Sequence, residues 1–249
     1  MTWVLALDCS SKFAYGALRH RRSGAQFLFQ SAGENSHSES LHSAVRQLLE
    51  RAGIQCSQLA LILLGEGPGS FTGLRIGFSF AQGLALGSQV AVRPFSSFAA
   101  AALAFEGAET LRIVLSDARR GECFFSAYLK TGPELKEIIA PQILSGVKIE
   151  AAVSEALRAR GLAAKGIVAI CEQGLELPTI AKARRADLPN LALGGMRLFE
   201  LESPDIKDDR REEAAALQLA QLTPLYIREV AARKIADRVS GTPILRPRE

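Results

Sequence analysis

Leu59-Ala-Leu-Ile-Leu-Leu-Gly-Glu-Gly-Pro-Gly-Ser-Phe-Thr-Gly-Leu-Arg-Ile-Gly-Phe-Ser-Phe-Ala-Gln-Gly-Leu-Ala-Leu86 decides the fold. Leu59 to Leu64 is a fully apolar run, the pattern of a strand buried on both faces. A glycine-rich turn follows, then a helix predicted over Leu74 to Leu86 and a short strand near Val90 to Val92. Strand, turn, helix and strand in that order make a βαβ unit with a right-handed crossover. Upstream, Trp3 to Leu7 runs apolar into Asp8, and Phe13 to Leu18 and Gln26 to Gln30 are further strand-like segments. Three consecutive strands predict an antiparallel meander. Ser36-His-Ser-Glu39 reads as a capping box, and Leu41, Ala44, Val45, Leu48, Leu49 and Ala52 follow helical spacing up to Gly53.

Meander plus βαβ is one α/β lobe. A helix over Ser97 to Phe105 then leads into a strand at Arg112 to Leu115. Asp117-Ala-Arg-Arg-Gly121 is predicted as a turn, with Glu122 to Tyr128 as the next strand, so a second meander starts near residue 111. Helices over Val147 to Arg160 and Leu191 to Leu201 flank a strand at Gly166 to Ile170, and 208–222 reads as helix, ended by Pro224. The lobes are predicted at 1–106, joined by the helix near 208–231, and at 107–207, with 232–249 as a basic tail.

The chain has 249 residues, 48% of them hydrophobic, which excludes disorder and supports one large domain or two small ones. The net charge of +4 is thinly spread and argues against a dense nucleic-acid patch. The four cysteines are at least 47 residues apart, with no CxxC pair, which speaks against a thiolate metal site and fits a reducing cytoplasm. The longest uncharged stretch, Ile76 to Val92, has 17 residues and three glycines, too short and too polar to cross a membrane. The start of the chain lacks the basic region of a secretory signal.

The glycine-rich turn fails three templates. A P-loop needs a lysine that is absent, a dinucleotide fingerprint needs glycine at Ser70, and a nucleophile elbow needs glycines at Pro68 and Thr72. Two readings remain. Gly67, Gly69 and Gly73 either let a ligand approach, with Ser70, Thr72 and the free amides at the helix start favouring an anion, or permit a tight turn and close packing. Asp8 either positions a metal-bound water near a phosphate or caps the Ser10-Ser11 turn, and Asp117 occupies the corresponding place in the second meander. The helix after the turn is apolar on all sides, with Ile76, Phe78, Phe80, Leu84 and Leu86 and the single charge Arg75. Such a helix must be covered all round, by an internal layer or by another subunit. Gly77 and Gly83 each cost about 1 kcal/mol there and allow a partner to approach closely.

Gly67-Pro-Gly-Ser-Phe-Thr-Gly-Leu-Arg-Ile-Gly77, Ala81-Gln-Gly-Leu-Ala85, Asp117-Ala-Arg-Arg-Gly-Glu122 and Pro224-Leu-Tyr-Ile-Arg228 resemble the TsaB (YeaZ) family, and Leu5-Ala-Leu-Asp-Cys-Ser10 resembles the first phosphate-region strand of actin-like (ASKHA) proteins. The resemblance spans residues 1 to 231, dense before 130 and thin from 130 to 220, and Cys9 stands where the family often has threonine. It implies two actin-like (ribonuclease H-like) lobes, the second reduced. It also implies a catalytically inert partner of a TsaD-type transferase, joined by a TsaE-type ATPase. That complex moves a threonylcarbamoyl group onto the tRNA adenosine just after the anticodon. The family's subunit interface falls on the two helices carrying Leu41, Val45, Leu48, Arg75, Ile76, Phe78 and Phe80. Self-association through the same helices, indirect tRNA contact and ATP or ADP with Mg at the complex interface are further expectations, with no intrinsic cofactor and no metal. Two full lobes with an adenosine pocket usually take well over about 300 residues, and Gly194-Gly195 is the lone pair resembling an adenosine loop. The rival is a small actin-like ATPase or kinase using Asp8, Asp117 and the Gly67 to Gly73 turn. A glycoprotease-like hydrolase lacks its histidine pair, since His37 and His42 have the wrong spacing.

Overall fold

A computed structural model describes residues 2–31, 37–163, 165–175, 180, 183–202 and 222–227. The first sheet is built from β1 (Trp3–Asp8), β2 (Tyr15–His20), β3 (Gln26–Gln30), β4 (Leu59–Gly65) and β5 (Ala91–Phe95), in the order β3-β2-β1-β4-β5. β1, β2 and β3 are the antiparallel meander, and β4 and β5 add in parallel, with Val4 opposite Leu61 and Leu61 opposite Ala91. The second sheet repeats this arrangement. β6 (Leu111–Arg119), β7 (Glu122–Thr131) and β8 (Glu134–Ser145) form a meander, and β9 (Ile167–Cys171) and β10 (Ala183–Asp187) add in parallel, giving β10-β9-β6-β7-β8. Two copies of one topology make two paired α/β lobes.

Among the described residues, five α-helices cover the sheets. α1 (His37–Ala52) and α2 (Phe71–Ser88) lie on the outer face of the first sheet, and α4 (Gly146–Ala159) on the outer face of the second. α3 (Ser97–Ala104) and α5 (Leu191–Glu202) fill the layer between the sheets, α5 against β1, β2 and β4, and α3 against β6, β7 and β8. One core runs through this layer, from Ala6 and Leu63 of the first sheet through Ala101 and Met196 to Val114 and Ile170 of the second. β4 is apolar throughout because both of its faces are buried, with Leu61, Leu63 and Leu64 almost fully enclosed.

Several boundaries differ from the sequence reading. α2 starts at Phe71 rather than Leu74, because the Ser70 hydroxyl accepts from the Gly73 amide at 3.2 Å and nucleates the first turn. β6 runs on to Arg119, past a bulge after Asp117, and the turn contracts to Arg119, Arg120 and Gly121, all with positive φ. The helix expected over 208–222 lies outside the described residues. α5 falls in the stretch read as the second lobe, yet it packs on the first sheet. Gly194 makes that possible, because a Cβ there would overlap the Ala100 carbonyl of α3. The Gly194-Gly195 pair is therefore a helix-crossing element rather than an adenosine loop.

Gly194→Val should force α3 and α5 apart and destabilise the chain by about 1–3 kcal/mol, read as a lower urea midpoint. An unchanged midpoint would show that the crossing tolerates a side chain.

Candidate functional site

Asp8 ends β1 with its carboxylate fully enclosed. Oδ1 accepts from the Ser10 amide at 2.8 Å and the Ser10 hydroxyl at 2.7 Å, and Oδ2 accepts from the Ser97 hydroxyl at 2.5 Å. Ser97 in turn accepts from the Gly67 amide at 3.1 Å and donates its own amide to the Gly67 carbonyl at 3.0 Å. Burial raises the Asp8 carboxyl above the ordinary aspartate range, although these hydrogen bonds pull the other way. The same burial pushes the Cys9 thiol up. Of the two readings of Asp8, the geometry supports the cap: its oxygens face protein donors.

The glycine-rich turn closes directly on this strand end. The Ser70 amide donates to the Ser10 carbonyl at 2.6 Å. A Cβ at Gly69 would overlap that same carbonyl, and one at Gly73 would overlap the carbonyl of Cys9. Backbone of the first turn thus fills the space that an anion would need beside Gly69 and Gly73. At the start of α2, the Gly73 amide is taken by the Ser70 hydroxyl and the Leu74 amide by the Ser70 carbonyl. Thr72 is exposed, and Ser10 is buried. Asp117 is bound into its own hairpin, accepting from the Arg119 amide at 2.6 Å and pairing with its guanidinium at 3.2 Å. Asp8, Ser10, Gly67, Gly69, Ser70 and Gly73 thus gather at one strand end, where they contact the chain's own backbone and Ser97, while Thr72 is exposed and Asp117 lies in the second sheet. Among the described residues no three His, Cys, Asp or Glu side chains gather to hold a metal.

A separate cleft between the lobes, about 140 Å³, is lined by Ser11, Lys12, Tyr15, Gln30, Glu172 and Asp187 among others. The Lys12 ammonium crosses it to the Gln173 carbonyl at 2.6 Å. Burial raises the Glu172 carboxyl and pushes the Tyr15 phenol up to about 12. The cleft is small beside the roughly 300–1,000 Å³ of ordinary ligand pockets, and none of the predicted nucleotide residues lines it.

The larger concavity is on the outside. A groove of about 580 Å³ runs along α2, lined by Leu41, Phe71, Thr72, Arg75, Ile76, Ser79 and Phe80. α2 buries Leu74, Gly77, Phe78, Ala81 and Ala85 in the chain's own core. Its opposite side leaves Arg75, Ser79, Gly83 and Gly87 exposed at four-residue intervals, with Ile76, Phe80 and Leu84 half-buried beside them and Leu86 73% exposed. A Cβ at Gly83 or Gly87 would meet nothing within 4 Å. Neither glycine is required by packing within the described chain, so their helix cost of about 1 kcal/mol each goes unexplained from inside.

The expected interface set divides here. Leu41, Val45, Leu48 and Phe78 are core residues, each at most 5% exposed, because they form the inner faces by which α1 and α2 hold the sheet. Leu41 also floors the groove. Only Arg75, Ile76 and Phe80 present surface to a partner. The sequence reading joined the segment near 208–231 to the first lobe but assigned no contact to Phe71 or to 222–227. Leu222 is buried in the core beneath α1 and α2, the Leu225 amide donates to the Glu66 carbonyl at 2.8 Å, and Tyr226 packs on Phe71 with ring centres 5.2 Å apart. The signal that could have found this strap was its motif, Pro224-Leu-Tyr-Ile-Arg228.

Comparison with known proteins places these features. The family model of TsaD, tRNA N6-adenosine threonylcarbamoyltransferase, matches residues 31–233. The TsaB tRNA threonylcarbamoyladenosine biosynthesis protein of Haemophilus influenzae is 32% identical over 152 residues, covering 57% of this chain and 64% of that one. The Escherichia coli TsaB protein is 32% identical over 117 residues, 43% of this chain and 50% of that one. The matched stretches thus span about half to just under two thirds of these curated relatives. In fold, the chain is similar to YeaZ from Pseudomonas aeruginosa, with a TM-score of 0.68 at 24% identity over 91% of this chain and 100% of that one. No helix among the described residues is long and apolar enough to cross a membrane.

Gly83→Ala should stabilise the isolated chain by up to about 1 kcal/mol, since its Cβ enters open space in a helix interior; a lower melting temperature would mean that the face is already covered. Asp8 supplies a pH test. A carboxyl whose folded value is raised contributes most below its ordinary value near 3.9, and that contribution is lost as pH rises through the raised value. The stability of Asp8→Asn relative to wild type should therefore improve as pH rises above about 4 in urea titrations. A pH-independent difference would mean that Asp8 stays ionised in its enclosure.

Proposed function

The chain belongs to the TsaD family and, within it, to the TsaB (YeaZ) group, and from that premise we propose that it is a non-catalytic partner subunit in tRNA threonylcarbamoyladenosine synthesis. On this proposal it works in the cytoplasm, binding and activating a TsaD-type transferase. A TsaE-type ATPase joins the complex, and tRNA is engaged through the transferase. The chain holds no nucleotide of its own; ATP or ADP with Mg belongs to the assembled complex.

The observation that carries this is the exposed face of α2. An apolar groove of about 580 Å³ lies beside two helix glycines that pack on nothing within the described chain. Small residues at four-residue spacing let another helix approach closely, and the flanking Ile76, Phe80 and Leu84 supply apolar area to bury. Contact rather than chemistry also accords with the turn region, where Asp8 is enclosed by Ser10 and Ser97 and the Gly67, Ser70, Gly73 and Leu74 amides are taken up by the chain. An ATPase or kinase would need Asp8 to face solvent and a phosphate.

Mixing the chain with the TsaD-type transferase of the same organism should give a one-to-one complex by size-exclusion chromatography with light scattering. Phe80→Glu and Leu86→Glu should each weaken it at least about 100-fold, about 3 kcal/mol. Leu86→Glu changes an exposed side chain, so the free variant should keep its urea midpoint. Phe78→Glu, by contrast, should unfold the chain, because that ring is in the core. Unchanged elution of the two wild-type proteins would overturn the proposal.

A further inference from the structure

Arg75 is the single charged residue in the groove. Its guanidinium carbon lies 4.0 Å from the Phe71 ring centre, and Phe71 is backed by Tyr226 of the strap at 5.2 Å. The strap is held in place by Leu222 in the core and by the Leu225 amide on the Glu66 carbonyl. Arg75 is exposed, and among the described residues it has no hydrogen bond or ion pair. A flexible side chain is thereby held over a ring with its donors still open. Stacking of this kind leaves the edge of the guanidinium free for a planar acceptor.

We propose that this stacked arginine determines partner choice at the α2 groove: it pairs with a carboxylate on a helix of the transferase partner, and so favours that partner over a second copy of this chain. This rests on the proposed function above and adds the chemistry of the contact. An anionic group complements it best, because Arg75 is the lone cation in a groove that is otherwise apolar or hydroxylic and a carboxylate accepts more strongly than a neutral carbonyl. A second copy is poorly equipped to supply it. α2 carries no acidic residue. Among the described side chains of α1, the carboxylate is Glu50, which already lies 3.6 Å from Arg46 one turn away. Two copies meeting through these faces would bring a second arginine and, among the described side chains of α1 and α2, no free carboxylate. Desolvating an unpaired cation weakens an interface, whereas a charge-assisted bond to a carboxylate strengthens it. Discrimination arises from both effects.

The test is calorimetric titration of the same organism's transferase into wild type, Arg75→Ala and Arg75→Lys, at low and high salt. Sedimentation velocity of each free chain gives self-association. Arg75→Ala should raise the heterodimer Kd by about 10- to 100-fold and flatten its salt dependence. Arg75→Lys should recover only part of the affinity, since an ammonium cannot both stack and bind in a fork. Self-association should be unchanged or stronger in Arg75→Ala. Replacing the transferase's groove-facing carboxylate by arginine should abolish binding to wild type and restore it to Arg75→Glu. A Kd for Arg75→Ala within about twofold of wild type, with the salt slope intact, would overturn the inference and leave the proposed function standing. No binding by wild type at either salt would overturn the proposed function, and this inference with it.

Discussion

The amide of Ser70 meets the carbonyl of Ser10 at 2.6 Å, and Gly69 and Gly73 lie so close to the backbone of residues 9 and 10 that a Cβ at either would overlap it. This backbone-on-backbone closure fixes much else in the first lobe. It seats the N-terminus of α2 against the end of β1, so that Leu74, Phe78, Ala81 and Ala85 turn toward the sheet. It encloses Asp8, whose three donors come from the first turn and from α3, and it ties the start of α3 to Gly67 through Ser97. In a nucleotide-handling protein a strand end facing a glycine-rich turn leaves a gap that phosphate can fill. Here the protein's own chain occupies that gap.

The layer between the sheets is packed in the same manner. Sites at the junction of two α/β lobes depend on a crevice that stays open. In this chain α3 is almost wholly Ala, Phe and Leu, and α5 crosses it at Gly194, so that the two helices and the inner faces of both sheets share one continuous core. What is left between the lobes is about 140 Å³ bridged by Lys12 to the Gln173 carbonyl. Arg112 adds a further constraint. Its guanidinium is spent on the carbonyls of Ala102, Phe105 and Gly107 at the end of α3, which anchors that helix to β6.

Much of this architecture was legible in the sequence because burial on two faces leaves an unmistakable trace. The leucine run of β4 and the glycine turn after it placed the first βαβ unit, and Leu41, Val45 and Leu48 placed the buried side of α1. β8 and β10 were not legible. Both are edge strands, where one hydrogen-bonding side faces outward, so β8 accommodates Pro141 and several charges and β10 reads Ala-Arg-Arg-Ala-Asp. The candidate site was legible by element and not by face. An all-apolar helix signals that two sides are covered, but Phe78 and Phe80, two residues apart, look alike in sequence while one is in the core and the other lines the groove. The contacts of the strap with Glu66 and Phe71 were not legible, although its segment was joined to the first lobe, because they link positions about 150 residues apart, beyond any local pattern.

The two halves of α2 then explain one another. Its inner face carries small residues at 73, 77 and 81, and the helix sits close to Cys9 and β4: a Cβ at Gly73 would overlap the Cys9 carbonyl. No such demand exists outside, where Gly83 and Gly87 face open space and Leu86 stands 73% exposed. A helix governed by intrachain packing alone would carry better helix formers at those positions and a charged outer face. Exposed apolar side chains raise the risk of non-specific association, and the glycines lower helix stability. Both costs become intelligible together if a second helix lies against this face: the glycines set how near it comes, and the leucine and phenylalanine flanks are what it covers. The turn that closes on Ser10 holds α2 in the position from which that outer face projects.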